Sequence, residues 1–176
     1  AVAACALHCG LTPDQIRSAF ASFKGIKRRM EIRGAAGGIT VIDDFGHHPT
    51  AIRETIRALR VRYPGLRLWA IFEPRTNTTR RNVFQSELSE ALSLADAVVV
   101  SQVARLELLK PDERLDPARL MREIASDGKP AAYLATVEEI ITHMAENARP
   151  NDVVTVFSNG GFGGIHDKLL AAFAKK

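Results

Sequence analysis

The sequence contains only two cysteines, few aromatic residues and no long hydrophobic run. Cys5 and Cys9 lie four residues apart, so they supply no disulfide framework and fit a reducing compartment. Together with His8 they lack a second cluster of matching spacing, and we therefore expect no metal site. No apolar run approaches the roughly 20 residues that span a bilayer, and the first residues lack a basic leader. We predict a soluble, cytoplasmic protein with no membrane partner.

The excess of positive charge is modest. The net charge is +4 at pH 7, and its densest cluster is KGIKRR at residues 24–29. A nucleic-acid-binding face needs a broader basic surface with side chains that stack on or read bases, and aromatic residues make up 6% of the chain. We therefore expect no nucleic-acid partner. The competing hypothesis, a basic domain that binds through residues 24–33, predicts strongly salt-dependent binding to DNA or RNA.

Strand and helix patterns alternate along most of the 176 residues. This alternation predicts one α/β domain with a mostly parallel sheet covered by helices on both faces. A short helical lead-in precedes an antiparallel hairpin, whose turn glycines supply positive φ angles. The predicted helices are residues 2–7, 14–23, 50–62, 83–94, 117–126, 137–147 and 165–173, and the predicted strands are residues 31–34, 39–44, 66–72, 97–101, 131–134 and 152–157.

Three polar loops follow predicted strands. They contain DDFGHHP at residues 43–49, EPRTNT at residues 73–78 and SNGGFGG at residues 158–164. Because the carboxyl ends of parallel strands meet at one edge of a sheet, we expect these loops to converge. Their carboxylates, imidazoles, guanidinium and backbone N–H groups suit a nucleotide ribose, phosphate oxygens or a peptide carboxylate. The glycine loop has two interpretations, an anion site at a helix N-terminus or a tight turn without a ligand.

These motifs resemble the C-terminal region of the Mur ligases, ATP-dependent amide ligases of peptidoglycan synthesis. The resemblance rests on FKGIKRRME at residues 23–31, DDFGHHPT at residues 43–50 and FEPR at residues 72–75. FEPRTNT at residues 72–78, combined with SNGGFGGIH at residues 158–166, is similar to one branch of the family. That branch joins the tripeptide L-alanyl-γ-D-glutamyl-meso-diaminopimelate to UDP-N-acetylmuramate in peptidoglycan recycling. The branch that attaches L-alanine shares the histidine motif and stays an alternative.

The resemblance implies a three-domain enzyme that uses ATP and Mg²⁺, with a last, Rossmann-like domain that closes over ATP and presents the incoming amine. Residues 1–28 would be the tail of the central ATPase domain and the hinge, and residues 29–176 would be the C-terminal domain. The UDP-binding domain, the P-loop and the magnesium ligands would lie outside this sequence, which contains no Walker motif. We therefore expect the chain alone to be inactive. A stand-alone nucleotide- or peptide-binding module is the other hypothesis.

The resemblance also implies roles for residues on the nucleotide side. Arg29 would reach ATP, because a guanidinium grips phosphate through two donors, and Arg28 is the competing assignment. Asp44 would accept hydrogen bonds from the ribose hydroxyls, the alternative being a structural Asx turn. Asp43 would cap the turn.

Histidines and the remaining loop residues would serve the reacting groups. His47 and His48 would contact the γ-phosphate, the acyl phosphate or the attacking amine, and sequence does not rank them. We expect His143 and His166 to be partly exposed helix residues. The loops implied to lie near the incoming peptide contain Arg75, Asn77, Ser158, Asn159, Gly160 and Gly161.

Overall fold

The computed structural model describes residues 1–126 and 128–176. Within them, the chain forms a six-stranded sheet with helices on both faces, as predicted. The helices are α1 (Val2–His8), α2 (Pro13–Ser22), α3 (Pro49–Arg62), α4 (Gln85–Leu92), α5 (Pro117–Ala125), α6 (Val137–Asn147) and α7 (Ile165–Phe173). The strands are β1 (Glu31–Ala36), β2 (Ile39–Asp44), β3 (Leu68–Phe72), β4 (Ala97–Ser101), β5 (Ala131–Leu134) and β6 (Val153–Phe157).

The sheet has the strand order β1-β2-β6-β3-β4-β5. Strand β1 pairs antiparallel with β2, and every other pairing is parallel. The β1–β2 hairpin turns at Gly37 and Gly38, whose φ angles are +56° and +75°. Two successive positive φ angles match the twist of a two-residue hairpin, so the predicted turn is confirmed. Because β6 inserts between β2 and β3, the three loops singled out in the sequence leave neighbouring strands.

Central strands bury side chains on both faces of the sheet. Along β3, Leu68, Ala70 and Phe72 belong to one core, under helices α3, α4 and α5. Trp69 and Ile71 belong to the other core, under α6 and α7. Burial on both faces explains why this strand reads as a continuous apolar run rather than an alternating one.

The helical lead-in is well capped and poorly buried. Thr12 accepts a hydrogen bond from the Gln15 N–H at 3.3 Å, and the Gln15 side chain accepts one from the Thr12 N–H at 2.8 Å, forming a capping box. Of the α1 and α2 residues, only Ile16 is buried. An apolar depression of about 480 Å³ is lined by side chains of both helices, including Phe20 and Phe23, which are more than half exposed.

Several predicted boundaries differ from the structure by one or two residues, and two segments contain 3-10 turns that were not predicted. The predicted helix 83–94 begins as a 3-10 turn over Asn82–Phe84, and its α-helical part ends at Leu92. The segment 105–116, predicted to be loop, contains two 3-10 turns, Leu106–Leu108 and Pro111–Glu113. Turns of this length have no periodicity that a sequence pattern can reveal. Within the described ranges, no helix has the length and apolar character needed to cross a membrane.

Candidate functional site

Three loops meet at the carboxyl edge of β2, β6 and β3. The Ser158 N–H donates to the Asp44 carbonyl at 3.1 Å, and the Glu73 N–H donates to the Phe157 carbonyl at 3.0 Å. These bonds extend the parallel pairings past the strand ends and hold the beginnings of the loops side by side. The topology therefore brings DDFGHHP, EPRTNT and SNGGFGG together at one edge.

Asp44 is buried, and both of its carboxylate oxygens bind backbone N–H groups. Oδ1 accepts from Gly46 at 2.7 Å, which is the Asx turn given as the alternative for this residue. Oδ2 accepts from Met30 at 2.9 Å. Asp44 thus ties the segment before β1 to the end of β2, and each oxygen keeps a lone pair for another donor. Its ribose role stays a prediction.

Asp43 does not cap the turn, contrary to expectation. Successive strand residues point to opposite faces of the sheet, so its side chain lies on the face away from that of Asp44. There the buried carboxylate contacts the Arg28 Nε at 3.3 Å and lies 3.4 Å from the His166 Nε2. Asp43 therefore joins the segment before β1 to helix α7.

Arg28 is held on several sides. Its Nη2 donates to the carbonyl oxygens of Ser158 and Gly160, the latter at 3.0 Å. Its backbone has a φ of +56°, and its carbonyl accepts from the Phe45 N–H at 2.8 Å. A guanidinium with this many fixed partners is built into the fold, so its side chain is not free to move to a ligand.

Arg29 has the opposite character. The residue is exposed, and among the described residues its guanidinium forms no ion pair and lies 5.4 Å from the centre of the Phe45 ring. It lines an open pocket of about 760 Å³ formed by residues 23–27 and 29–32 with Arg62. Of the two arginines weighed in the sequence, Arg29 is therefore the one whose guanidinium is free to bind an anion.

The two histidines of the signature differ in their surroundings. The exposed His48 is the N-cap of α3, where its Nδ1 accepts from the Thr50 N–H at 3.3 Å and its ring packs edge-on against Phe84. His47 is half-buried, with Nδ1 3.2 Å from the Phe45 carbonyl. His48 thus stabilises the helix start, and both rings keep Nε2 unbonded among the residues described.

Glu73 and Arg75 extend from the end of β3 toward the glycine loop. The buried Ser158 hydroxyl donates to the Glu73 carboxylate and accepts from the Gly160 N–H at 3.0 Å. Arg75 Nη1 lies 4.0 Å from Glu73 Oε1, so the ion pair weighed for Arg75 is present, but the side chain is still 53% exposed. The guanidinium packs on Gly160 so closely that a Cβ there would overlap with it.

A polar pocket of about 500 Å³ opens beside these residues. Arg80 crosses it, donating to the Asn77 side chain and, at 3.4 Å, to the carbonyl of Arg105, whose φ is +56°. The buried Asn159 Oδ1 has no donor within the described part of the chain. The complete lining is Glu73, Arg75, Thr76, Asn77, Arg80, Ala104, Arg105 and Asn159. Three guanidiniums and one carboxylate give this pocket an excess of positive charge.

The glycine loop reaches α7 through left-handed backbone. Phe162, Gly163 and Gly164 have φ angles of +40°, +58° and +69°. Two glycines make this sharp reversal possible with a buried Phe162 at its start. The exposed Gly161 has open space where a side chain would begin.

His166 is buried, so the expectation that it is partly exposed is wrong. The residue is 8% exposed, because the first turn of α7 packs against the end of β2. Burial lowers the pKa of the imidazole, against the opposing effect of Asp43. His143 is half-buried and packs edge-on against Trp69 at 6.0 Å, as expected of a partly exposed helix residue.

Two pocket residues, Arg80 and Arg105, were not identified from the sequence. A signal existed for Arg80, because it follows Asn77 at the three-residue spacing that brings side chains together in a helical turn. Arg105 lies in a distant loop, and only the tertiary fold brings it to the pocket. No group of three or more metal-binding side chains occurs in residues 1–126 and 128–176.

Comparison with known proteins shows which family has sequences similar to this chain. A family model described as Mur ligase, glutamate ligase domain, matches residues 28–160. UDP-N-acetylmuramate–L-alanyl-γ-D-glutamyl-meso-2,6-diaminoheptandioate ligase of Escherichia coli strain K12 is 39% identical over 174 residues, which are 98% of this chain and 36% of that protein. UDP-N-acetylmuramate–L-alanine ligase of Burkholderia cenocepacia strain J2315 is 36% identical over 183 residues, covering 100% of this chain and 39% of that protein. The chain thus spans little more than a third of these curated relatives.

Solved structures of Mur ligases have the same fold as this chain. The murein peptide ligase of Psychrobacter arcticus superposes with a TM-score of 0.74 at 35% identity, over 90% of this chain and 32% of that one. A domain from a UDP-N-acetylmuramate:tripeptide ligase of Haemophilus ducreyi superposes with a TM-score of 0.64 at 37% identity, over 83% of this chain and 100% of that one.

Proposed function

The chain belongs to the Mur ligase family, and from that premise we propose that it is the carboxyl-terminal domain of an ATP-dependent amide ligase of peptidoglycan recycling. The complete enzyme joins L-alanyl-γ-D-glutamyl-meso-diaminopimelate to the carboxylate of UDP-N-acetylmuramate. The observation that carries the proposal is the pocket lined by Arg75, Arg80 and Arg105 at the edge where the three loops converge.

The charges of this pocket match the tripeptide. The tripeptide has a carboxylate on its γ-linked glutamyl residue and two on diaminopimelate, whose distal end also carries an ammonium group. Three guanidiniums supply partners for the carboxylates, and Glu73 supplies one for the ammonium. L-Alanine has a single carboxylate and would leave most of these charges without a partner. The pocket therefore favours the tripeptide over L-alanine, the amine substrate named for the Burkholderia relative.

Residues on the other side of the loop edge fit a nucleotide. Arg29, whose guanidinium forms no ion pair with residues 1–126 or 128–176, lies in the connecting segment, and Asp44 has lone pairs left for ribose hydroxyls. A related MurF ligase of Thermotoga maritima was solved in complex with ADP. The magnesium ligands belong, in this proposal, to the domain that precedes the chain, since the described residues offer no carboxylate cluster.

In the proposed reaction, ATP converts the muramyl carboxylate to an acyl phosphate, and the L-alanyl amine displaces phosphate to form the amide. The chain's contribution is to hold the peptide with its amine directed at the acyl carbon and to exclude water by domain closure. On the same loop, the Nδ1 of His47 faces the Phe45 carbonyl, so the Nε2 of a neutral His47 has the lone pair that can accept the proton lost by the amine. The Nδ1 of His48 accepts from Thr50, so the Nε2 of a neutral His48 carries the proton and can donate to a phosphate oxygen.

The lead-in helices fit a place between domains. We propose that residues 1–28 are the tail of the central ATPase domain and the hinge, and that residues 29–176 form the closing domain. The half-exposed Phe20 and Phe23 and the apolar depression beside them support this assignment, because surface of this kind needs a covering partner.

Substitutions around Arg75 test the peptide assignment in the complete ligase. Arg75→Ala removes a guanidinium from the peptide pocket and should raise the KM for tripeptide about 10- to 100-fold, as expected for one charge-assisted pair. Gly160→Ala places a Cβ where the Arg75 guanidinium now packs and should have the same effect in weaker form. Steady-state kinetics with each substrate varied in turn measures both effects.

The matched control is Gly161→Ala. Its Cβ would enter open space, so the KM values should stay within about twofold. The KM for UDP-N-acetylmuramate should not change in any of the three variants. Equal losses for all substrates would make Arg75 a residue of fold or closure, and the peptide assignment of this loop would be wrong.

A further inference from the structure

A path of side-chain contacts connects helix α7 to the glycine loop by way of the segment before β1, buried at His166 and Asp43 and partly exposed at Arg28. The His166 Nε2 lies 3.4 Å from the Asp43 Oδ1, and the two Asp43 oxygens lie 3.4 Å and 3.3 Å from the Arg28 Nε. Arg28 in turn donates to the carbonyls of Ser158 and Gly160. Asp43 and His166 are 2% and 8% exposed, so the contact between these two side chains is closed to water.

His166 is the one member of this path whose hydrogen bonding is incomplete. Its Nε2 is buried and has no partner in hydrogen-bond geometry among the residues that the structure describes. The contact with Asp43 is longer than the roughly 2.7–2.9 Å of a charge-assisted hydrogen bond.

Burial favours a neutral imidazole at His166, whereas the charged groups around it act in both directions: Asp43 and Asp167 raise its pKa, and Arg33 and Arg28 lower it. Asp43 faces it from β2, Arg28 from the segment before β1, Arg33 from β1, and Asp167 from its own helix. Burial is the strongest influence and lowers its pKa, and the two arginines act in the same direction. A neutral imidazole that carries its proton on Nε2 directs an N–H toward Asp43 across the 3.4 Å contact, beside the Arg28 guanidinium that faces the same carboxylate.

We propose that His166 is a positioning residue for the peptide side of the site: it holds Asp43, Asp43 orients Arg28, and Arg28 fixes the 158–160 turn. This role rests on the proposed ligase function. It adds His166, Asp43 and Arg28 to the residues on which that function depends. His166 itself touches no substrate in this account.

The consequence for substrate runs through Gly160. Arg28 binds the Gly160 carbonyl from one side, and the Arg75 guanidinium packs on the same glycine. A shift of the turn therefore displaces Arg75, the guanidinium assigned to a peptide carboxylate. Since a displacement of about 1 Å can cost roughly a hundredfold in rate, a residue that does not touch the peptide can still control its use.

Kinetics of the complete ligase tests this role. His166→Leu removes the donor while filling the space, and it should lower kcat/KM for tripeptide about 10- to 100-fold with little change in the KM for ATP. His166→Gln keeps an N–H donor and should recover most of the loss. His143→Leu removes a half-buried histidine from the other helix on this face and should leave the kinetics unchanged.

Nuclear magnetic resonance of the 176-residue chain supplies a readout that does not depend on activity. The Arg28 Nε–H signal should exchange slowly with water in the unsubstituted chain and in His166→Gln, and rapidly in His166→Leu. The inference is overturned by equal kinetics of the Leu and Gln variants, by equal losses for tripeptide and ATP, or by an Arg28 signal that stays protected in His166→Leu. Failure of the proposed function would look different: the unsubstituted ligase would not join the tripeptide, while the signals would still distinguish the two variants.

Discussion

At the scale of single residues, the neighbours Arg28 and Arg29 divide two tasks. Arg28 is fixed by Asp43 and by the carbonyls of the 158–160 turn, whereas the Arg29 guanidinium is exposed beside the Phe45 ring. The left-handed backbone at Arg28 turns the chain so that consecutive side chains point in different directions. One arginine therefore serves the fold and the other is available for an anion.

This division predicts opposite effects of two alanine substitutions. Arg29→Ala should weaken ATP binding by the complete ligase by about 1–3 kcal/mol, because a charge-assisted contact to phosphate is lost, and should leave stability unchanged. Arg28→Ala should lower the free energy of unfolding of the chain by about 2–3 kcal/mol, because the buried Asp43 loses its partner. This loss is smaller than for a fully buried pair, since the Arg28 side chain is 30% exposed.

Titration of ATP binding and urea unfolding of both variants measure these effects. A large change in ATP affinity for Arg28→Ala without loss of stability, together with no change in ATP affinity for Arg29→Ala, would reverse the assignment of the two residues.

His166 should make stability depend on pH below about 6.5. Burial lowers its pKa below the value near 6.5 of an unfolded chain, so the unfolded state takes up a proton first as the pH falls. The free energy of unfolding should therefore be highest above pH 6.5 and should decrease below it, by at most about 1.4 kcal/mol per pH unit. Urea titrations across this range should show a flatter profile for His166→Gln. If the pH profile of His166→Gln matched that of the unsubstituted chain, the pH dependence would come from other titratable groups.

At the scale of elements, the β1–β2 turn is constrained from two directions. Gly37 has a positive φ, and a Cβ at this position would overlap with the backbone carbonyl of Phe173 at the end of α7. The turn therefore fixes both the register of the hairpin and its contact with the last helix.

Alanine substitutions at two glycines separate the cost of backbone strain from the cost of steric overlap with Phe173. Gly37→Ala should destabilise the chain by about 2–4 kcal/mol, because the backbone strain and the overlap add. Gly65 has a φ of +75°, and a Cβ added there would meet open space. Gly65→Ala should therefore cost only the backbone strain, about 1–2 kcal/mol. Chemical denaturation of both variants measures the difference, and equal losses would show that Phe173 moves away without cost.

The elements were predictable because each signal was local. Turn glycines marked the hairpin, and the alternation of strand and helix patterns marked the elements that follow it. The 3-10 turns were missed because three residues carry no periodicity. Helix ends shifted by one or two residues for the same reason.

The site was predictable only in outline. Strand-end loops identified the correct edge of the sheet, since that rule depends on topology alone. The burial of His166 and the turning of Asp43 toward Arg28 depend on how α7 packs against β2, and no local pattern encodes that contact. Arg105 reaches the pocket from a loop whose conformation is likewise set by tertiary contacts.

At the scale of the whole molecule, three surfaces would serve the closing domain proposed above. One pocket is lined by Arg75, Arg80 and Arg105, a second by Arg29 and its neighbours in the segment before β1, and the lead-in helices line an apolar depression. Its sequence spans 36% of the Escherichia coli relative and contains no Walker motif. In the proposed function, this domain determines which amine substrate the complete ligase uses.

The most direct test of the proposed function compares the two candidate amines in the complete ligase. With UDP-N-acetylmuramate and ATP present, release of ADP and formation of the amide product should be measured with the tripeptide and with L-alanine. Because the single carboxylate of L-alanine would leave most of the guanidinium charge without a partner, kcat/KM for the tripeptide should exceed that for L-alanine by about a hundredfold or more. Equal values, or a preference for L-alanine, would contradict the assignment of this domain to tripeptide ligation.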